Sequence, residues 1–186
     1  MDPGTLVFDR LHERHPGVTE AVGRNYAEAA AICFNRYHSS PSNVTVTADA
    51  THDKVYFATW TKPSARQEAA WANRDDATRD GAYCIVLAAA DQHLNLVAVA
   101  RAATKSGADY LVGPPGGGIN PLDGELDFES EILRLEISGI DRCENASRLR
   151  ARVAGKVEQA RSGRSDLPAL AGVVAFDLAR VLFKYA

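Results

Sequence analysis

Residues 133–140 read LRLEISGI, and residues 106–113, upstream, read SGADYLVG. In the first stretch Leu133, Leu135 and Ile137 alternate with Arg134, Glu136 and Ser138, the two-residue period of a strand with one apolar face. The second is a short apolar strand that carries Asp109 and stops at Pro114-Pro115. A carboxylate inside a sheet strand is costly to bury unless it is paired or holds a cation. Two such strands side by side bring Asp109 and Glu136 toward one hard divalent ion, and Mg²⁺ (or Mn²⁺) suits that donor set. The plainer reading has Asp109 capping a turn and Glu136 pairing with Arg134 or Arg101 on an exposed sheet face.

The next segment adds charge. From about Asn145 to Arg161, Leu149, Val153 and Val157 recur every four residues, which predicts a helix with one apolar stripe. Arg148, Arg152, Lys156 and Gln159 form a polar stripe beside it. Residues 141–164 hold seven basic side chains against three acidic ones, inside a chain whose net charge is −3. Such a stripe can meet a phosphodiester backbone while the apolar stripe rests on the sheet. A solvated helix face is the ordinary alternative. Gly155 costs this helix about 1 kcal/mol relative to alanine, which close packing or the approach of another backbone would explain. Residues 170–185 then read as a continuous apolar strand followed by a second strand or turn.

Upstream, residues 1–18 are polar, contain Pro3 and Pro16, and read as a loose lead-in. Ala27, Ala30, Ala31, Phe34 and Tyr37 recur with a helical period after Thr19, and residues 44–60 alternate as a β-hairpin around His52-Asp53. Residues 61–80 are mixed, with Trp71 pinning a short helix. Residues 81–105 are apolar nearly all round, which predicts a buried helix, with a break at Asp91 to Asn95. Residues 114–118 form a Pro/Gly loop, and residues 119–131 carry five acids and no base.

With 186 residues, 46% of them hydrophobic and 24% charged, the chain reads as one globular domain, 1–186, rather than a disordered tail or a membrane bundle. The charge balance excludes a wholly basic binder but not a local basic face. Three scattered cysteines with no CxxC give no zinc ribbon or thioredoxin-type site, and Cys33 and Cys84 read as buried thiols. The Gly-rich loop lacks the Gly-Lys-Ser/Thr of a phosphate cradle, and His12 and His15 lack zincin spacing. Without a signal peptide or an apolar run of about 18 residues, a cytoplasmic chain with no membrane span is expected.

Strand Asp109, strand Glu136-Ile137-Ser138, and a helix bearing Lys156 and Gln159 before an apolar strand together resemble the core of PD-(D/E)XK nucleases, over residues 76–178. More narrowly, SGADYLVG, RLEISGI and RxRVxxKxEQ resemble a group of uncharacterised bacterial proteins. The resemblance implies an α/β (α+β), restriction-endonuclease-like mixed sheet flanked by helices as a core over residues 76–186. Residues 19–75, the N-terminal helix and β-hairpin, would elaborate it. It implies Asp109 and Glu136 as metal ligands, with a third acid from the preceding helix at Asp80, Glu68 being the weaker choice. The lysine expected two residues after Glu136 is Ser138, so Lys156 takes its place as the third catalytic residue.

Two functions follow as expectations. One is a metal-dependent nuclease in which Asp109, Glu136 and Lys156 act while Arg148, Arg152 and Gln159 contact the phosphates of nucleic acid, DNA before RNA. The other is a catalytically inactive nuclease-fold protein, a nucleic-acid-binding or scaffold subunit. A protein partner or homodimer is open in both.

Overall fold

In the computed structural model, which describes residues 4–49, 53–103, 106–117, 131–163 and 165–186, eight strands form one mixed sheet with helices on both faces. Residues 4–18 are ordered, where a loose lead-in is expected over residues 1–18. Gly4–Leu6 (β1) pairs parallel with a later strand, Leu11–Arg14 (α1) makes one turn, and Leu6, Phe8 and Leu11 are buried. Its anchor is a histidine. His15 is fully buried, its Nδ1 accepts the Ala98 N–H at 2.9 Å, and the Gly17 N–H donates to the Ala98 carbonyl at 2.9 Å.

That arrangement sets a pH dependence. Burial lowers His15 from 6.5 to about 4. The unfolded chain therefore takes up a proton below pH 6.5 that the folded chain refuses until near pH 4. Stability present above pH 6.5 is lost as pH falls across that window, by about 3 kcal/mol in all. Urea unfolding of wild type and His15→Gln between pH 7 and pH 4 checks this. The wild type loses more stability, and parallel curves would refute the assignment.

Thr19 caps Glu20–Asn35 (α2), accepting the Val22 N–H at 3.4 Å. Ser42–Ala48 (β2) and Lys54–Ala58 (β3) pair antiparallel as expected, and His52 of the expected His52-Asp53 turn lies outside the described residues. Ala65–Ala70 (α3) is the short helix, and Trp71 Nε1 donates to Glu28 of α2 at 2.8 Å. Asn73 caps Arg74–Ala89 (α4) through the Asp75 and Asp76 N–H groups.

Residues 81–105 depart from a single broken helix. α4 ends in a π-turn at residues 90–94, Asn95 takes a left-handed conformation (φ 56°), and Val97–Arg101 (β4) is a strand. An all-apolar run carries no period that tells helix from strand, so the β-branched Val97 and Val99 decide only in the sheet.

Tyr110–Gly113 (β5) and Leu133–Ile140 (β6) follow, then Ala146–Arg161 (α5), Ala169–Ala175 (β7) and Arg180–Tyr185 (β8). The sheet order is β1-β3-β2-β8-β7-β6-β5-β4. β4, β5 and β6 form an antiparallel meander, and α5 crosses over to place β7 parallel to β6. On one face α2 and α4 bury Leu135, Ile137, Leu170 and Val174. On the other, Leu149, Val153 and Val157 of α5 pack on Ala171, Val173 and Ala175. β7 is therefore apolar on both sides, as a strand covered on both faces must be.

Two glycines bear on the site. A Cβ at Gly139 would meet the Thr78 carbonyl at 2.5 Å, so glycine there lets α4 lie against the end of β6. A Cβ at Gly155 would meet nothing within 4 Å, so packing within the protein does not explain that glycine.

Candidate functional site: a cleft between α4 and α5

β5 and β6 part company at Tyr110 and Leu135, where their paired register ends. Residues 136–140 of β6 run on with β7 on one side and no strand on the other among the described residues. Asp109 occupies the fork. Its N–H donates to the Leu135 carbonyl at 2.9 Å, and its Oδ2 accepts the Ile137 N–H at 2.8 Å, taking the place of the next ladder bond. Its Oδ1 accepts the Tyr83 hydroxyl of α4 at 2.7 Å. Burial, reinforced by the Asp109 charge, pushes the Tyr83 hydroxyl up to about 12, so it stays a donor at neutral pH.

Glu136 lies on the opposite face of β6 from Leu135 and is only 4% exposed. Its Oε1 accepts from Lys156 Nζ and from Gln159 Nε2, both at 2.7 Å, and Lys156 Nζ also donates to Gln159 Oε1 at 3.0 Å. Burial pushes the Glu136 carboxyl above its ordinary value. Lys156 opposes that shift, and the nearby Asp109 charge adds to it. Neither Arg134 nor Arg101 pairs with Glu136. Arg134 is buried and donates to the carbonyls of Leu167, Ser106 and Ala160 at 2.7–2.9 Å, tying the end of α5 to the sheet. Arg101 lies against Tyr83 and Tyr110.

Asp109, Glu136, Ser138 and Lys156 line one open cleft of about 540 Å³. Asp75, Thr78, Arg79 and Tyr83 of α4 form one wall, and Arg152 of α5 stands at the other. Arg152 is exposed and makes no ion pair with a described residue. Of the predicted site residues, the fold thus gathers Asp109, Glu136, Lys156, Gln159 and Arg152.

The others stand apart. Arg148 pairs with Glu144 at 3.1 Å on the exposed flank of α5, outside the cleft. Asp80 turns away, bonded to Arg79 Nε at 2.8 Å and Asn25 Nδ2 at 3.1 Å. Glu68 lines a separate pocket beside Trp71 and Arg74. The reason is helical phase. Asp75, Arg79 and Tyr83 recur every four residues on one face of α4, and position 80 is a full 100° step beyond Arg79. The acid that α4 offers the cleft is Asp75. Asn73 as a helix cap followed by that spacing was the available signal for Asp75, Arg79 and Tyr83. The acidic run at 119–130 and Arg164 lie outside the described residues.

The donor chemistry can accept a divalent ion. Asp109 and Glu136 offer hard oxygens, and Mg²⁺ is usually held by one or two carboxylates, the remaining positions falling to water and substrate phosphate. Among the described residues no group of three or more His, Cys, Asp or Glu side chains is placed to hold a metal ion. No helix among the described residues is long and apolar enough to cross a membrane. No family model, curated protein or solved structure matches the chain.

Proposed function

We propose that the chain hydrolyses phosphodiester bonds of nucleic acid with a divalent metal, Mg²⁺ or Mn²⁺, held by Asp109 and Glu136. One observation carries the reading: the carboxylates of Asp109, just before β5, and of Glu136 on β6 line one open cleft, with an ammonium group 2.7 Å from the second. The element order supports it, since α4 precedes Asp109 and the Glu136 strand and α5 packs beside the site after them, as the PD-(D/E)XK resemblance implies. When bound, the ion supplies charge for a phosphoryl oxygen and lowers the pKa of a bound water. Lys156 neutralises Glu136 in the resting cleft and is placed to stabilise charge on a phosphate oxygen once that carboxylate has another partner. Arg152 and Arg79, at opposite walls, contact flanking phosphates.

A second reading keeps the fold and drops the chemistry. It is favoured by the Glu136–Lys156–Gln159 network, which is satisfied without a metal, and by Ser138 in place of the expected lysine. The cleft then binds nucleic acid or an acidic partner as a non-catalytic subunit. Purified chain incubated with end-labelled single- and double-stranded DNA and RNA in Mg²⁺ or Mn²⁺ separates the two. Cut products that vanish with a chelator are expected. Retention of the probe without cleavage in any metal, with a salt slope that falls when Arg152 is removed, replaces the first reading with the second.

A further inference from the structure

Three tyrosines from three elements gather around one arginine at the back of the cleft. Tyr26 comes from α2, Tyr83 from α4 and Tyr110 from β5, and Arg101 closes the group from β4. The guanidinium carbon lies 4.6 Å from the ring centres of both Tyr83 and Tyr110. Arg101 has no carboxylate partner among the described residues. Its charge is held instead by the two ring faces and by the hydroxyls of Tyr26 and Tyr83, at 3.4 and 3.3 Å. The Tyr26 and Tyr110 hydroxyls meet each other at 3.0 Å.

Proton bookkeeping gives this cluster a direction. A tyrosine hydroxyl has one proton. Tyr83 donates its proton to Asp109 Oδ1 at 2.7 Å, so toward Arg101 Nη2 it can only accept. The chain therefore runs Arg101 to Tyr83 to Asp109. With the Ile137 N–H on Oδ2, each carboxylate oxygen of Asp109 is fixed by one donor and keeps a further lone pair.

We infer that Tyr83 and Arg101 are positioning residues that fix the Asp109 carboxylate for cation binding, an inference that rests on the metal reading of the cleft. Tyr83 acts directly on Asp109. Arg101 acts through Tyr83, and Tyr26 brings the N-terminal helix into the same support. Hydrogen-bonded partners of a ligating carboxylate set its orientation, and their loss weakens metal binding about 10- to 100-fold.

The test is a Mn²⁺ titration followed by the paramagnetic resonance of the free ion, on wild type, Asp109→Asn, Tyr83→Phe, Arg101→Gln and Arg101→Lys. Tyr83→Phe keeps the ring and its stacking, so its melting temperature stays near wild type while Mn²⁺ affinity falls about tenfold. Arg101→Gln and Arg101→Lys both weaken Mn²⁺ by a smaller factor, because an ammonium cannot reproduce a flat guanidinium lying against two rings. A purely structural role would lower melting temperature and leave the affinity of the folded protein unchanged. Should Tyr83→Phe fail to fold, the Arg101 pair decides. Loss of Mn²⁺ in Asp109→Asn together with wild-type affinity in the Tyr83 and Arg101 variants overturns this inference alone. No Mn²⁺ uptake by wild type, or undiminished uptake by Asp109→Asn, overturns the metal reading and this inference with it.

Discussion

If the chain cleaves as proposed, Glu136→Gln and Asp109→Asn are each expected to lower metal-dependent cleavage about a thousandfold or more while leaving the fold intact. Each exchange removes a charge and keeps the shape. An asparagine at 109 still accepts the Ile137 N–H or the Tyr83 hydroxyl, and a glutamine at 136 still accepts from Lys156. What disappears is the anionic oxygen that would hold the ion. Metal catalysis supplies several kcal/mol of transition-state stabilisation, and about 4 kcal/mol is a factor of a thousand in rate. Initial rates on a labelled duplex, with melting curves on the same preparations, measure both quantities. Cleavage persisting in the Asp109→Asn/Glu136→Gln protein, free of contaminating activity, refutes the assignment of these residues.

Lys156→Ala has the second large effect, on stability. Glu136 is 4% exposed and Lys156 is its ionic partner at 2.7 Å, so removing the ammonium leaves a buried carboxylate with only Gln159 for company. Breaking such a pair costs about 3 kcal/mol, the lower end of the usual range because the Lys156 side chain retains 19% of its exposure. The sign of the pH dependence follows from Glu136, whose carboxyl burial already holds above its ordinary value. A group raised in the folded state favours folding at low pH, and that contribution is lost as pH rises through its folded value. The penalty of Lys156→Ala is therefore largest near neutral pH and shrinks on acidification. Denaturant melts of wild type and variant from pH 8 down to pH 5 should converge; a constant gap would mean that Glu136 is not the group left exposed to the loss. Mn²⁺ should restore part of the lost stability, since an ion bound only by the folded state stabilises it by mass action.

The sequence made some of this legible and hid the rest for physical reasons. Period two in LRLEISGI puts Glu136 on the face opposite Leu135 and Ile137, and period four in α5 puts Lys156 and Gln159 over it. Both are local regularities, and both survive in the fold. β4 was hidden because Val97, Ala98, Val99 and Ala100 continue an apolar run that has no polar face to reveal its period. The order of residues 4–18 was hidden because Leu6, Phe8 and Leu11 show no repeat, and their burial depends on contacts such as His15 to Ala98, 83 positions away. Asp80 stands directly before the apolar run in sequence, and only the phase of α4 turns it away from the cleft. Tyr83 read as one more apolar residue in a buried helix, and nothing in its neighbours announces a hydroxyl aimed at Asp109. Arg101 and its three tyrosines are assembled from four elements, a tertiary fact with no spacing to read.

On the proposed reading Asp109 and Glu136 together hold a divalent cation in the cleft. Calorimetric titration of Mn²⁺ into the purified chain, beside the Asp109→Asn/Glu136→Gln protein at equal melting temperature, tests it most directly. Saturable binding in the wild type that disappears in the double variant is the predicted result. Identical heats in the two proteins, or no binding by the wild type, would contradict it.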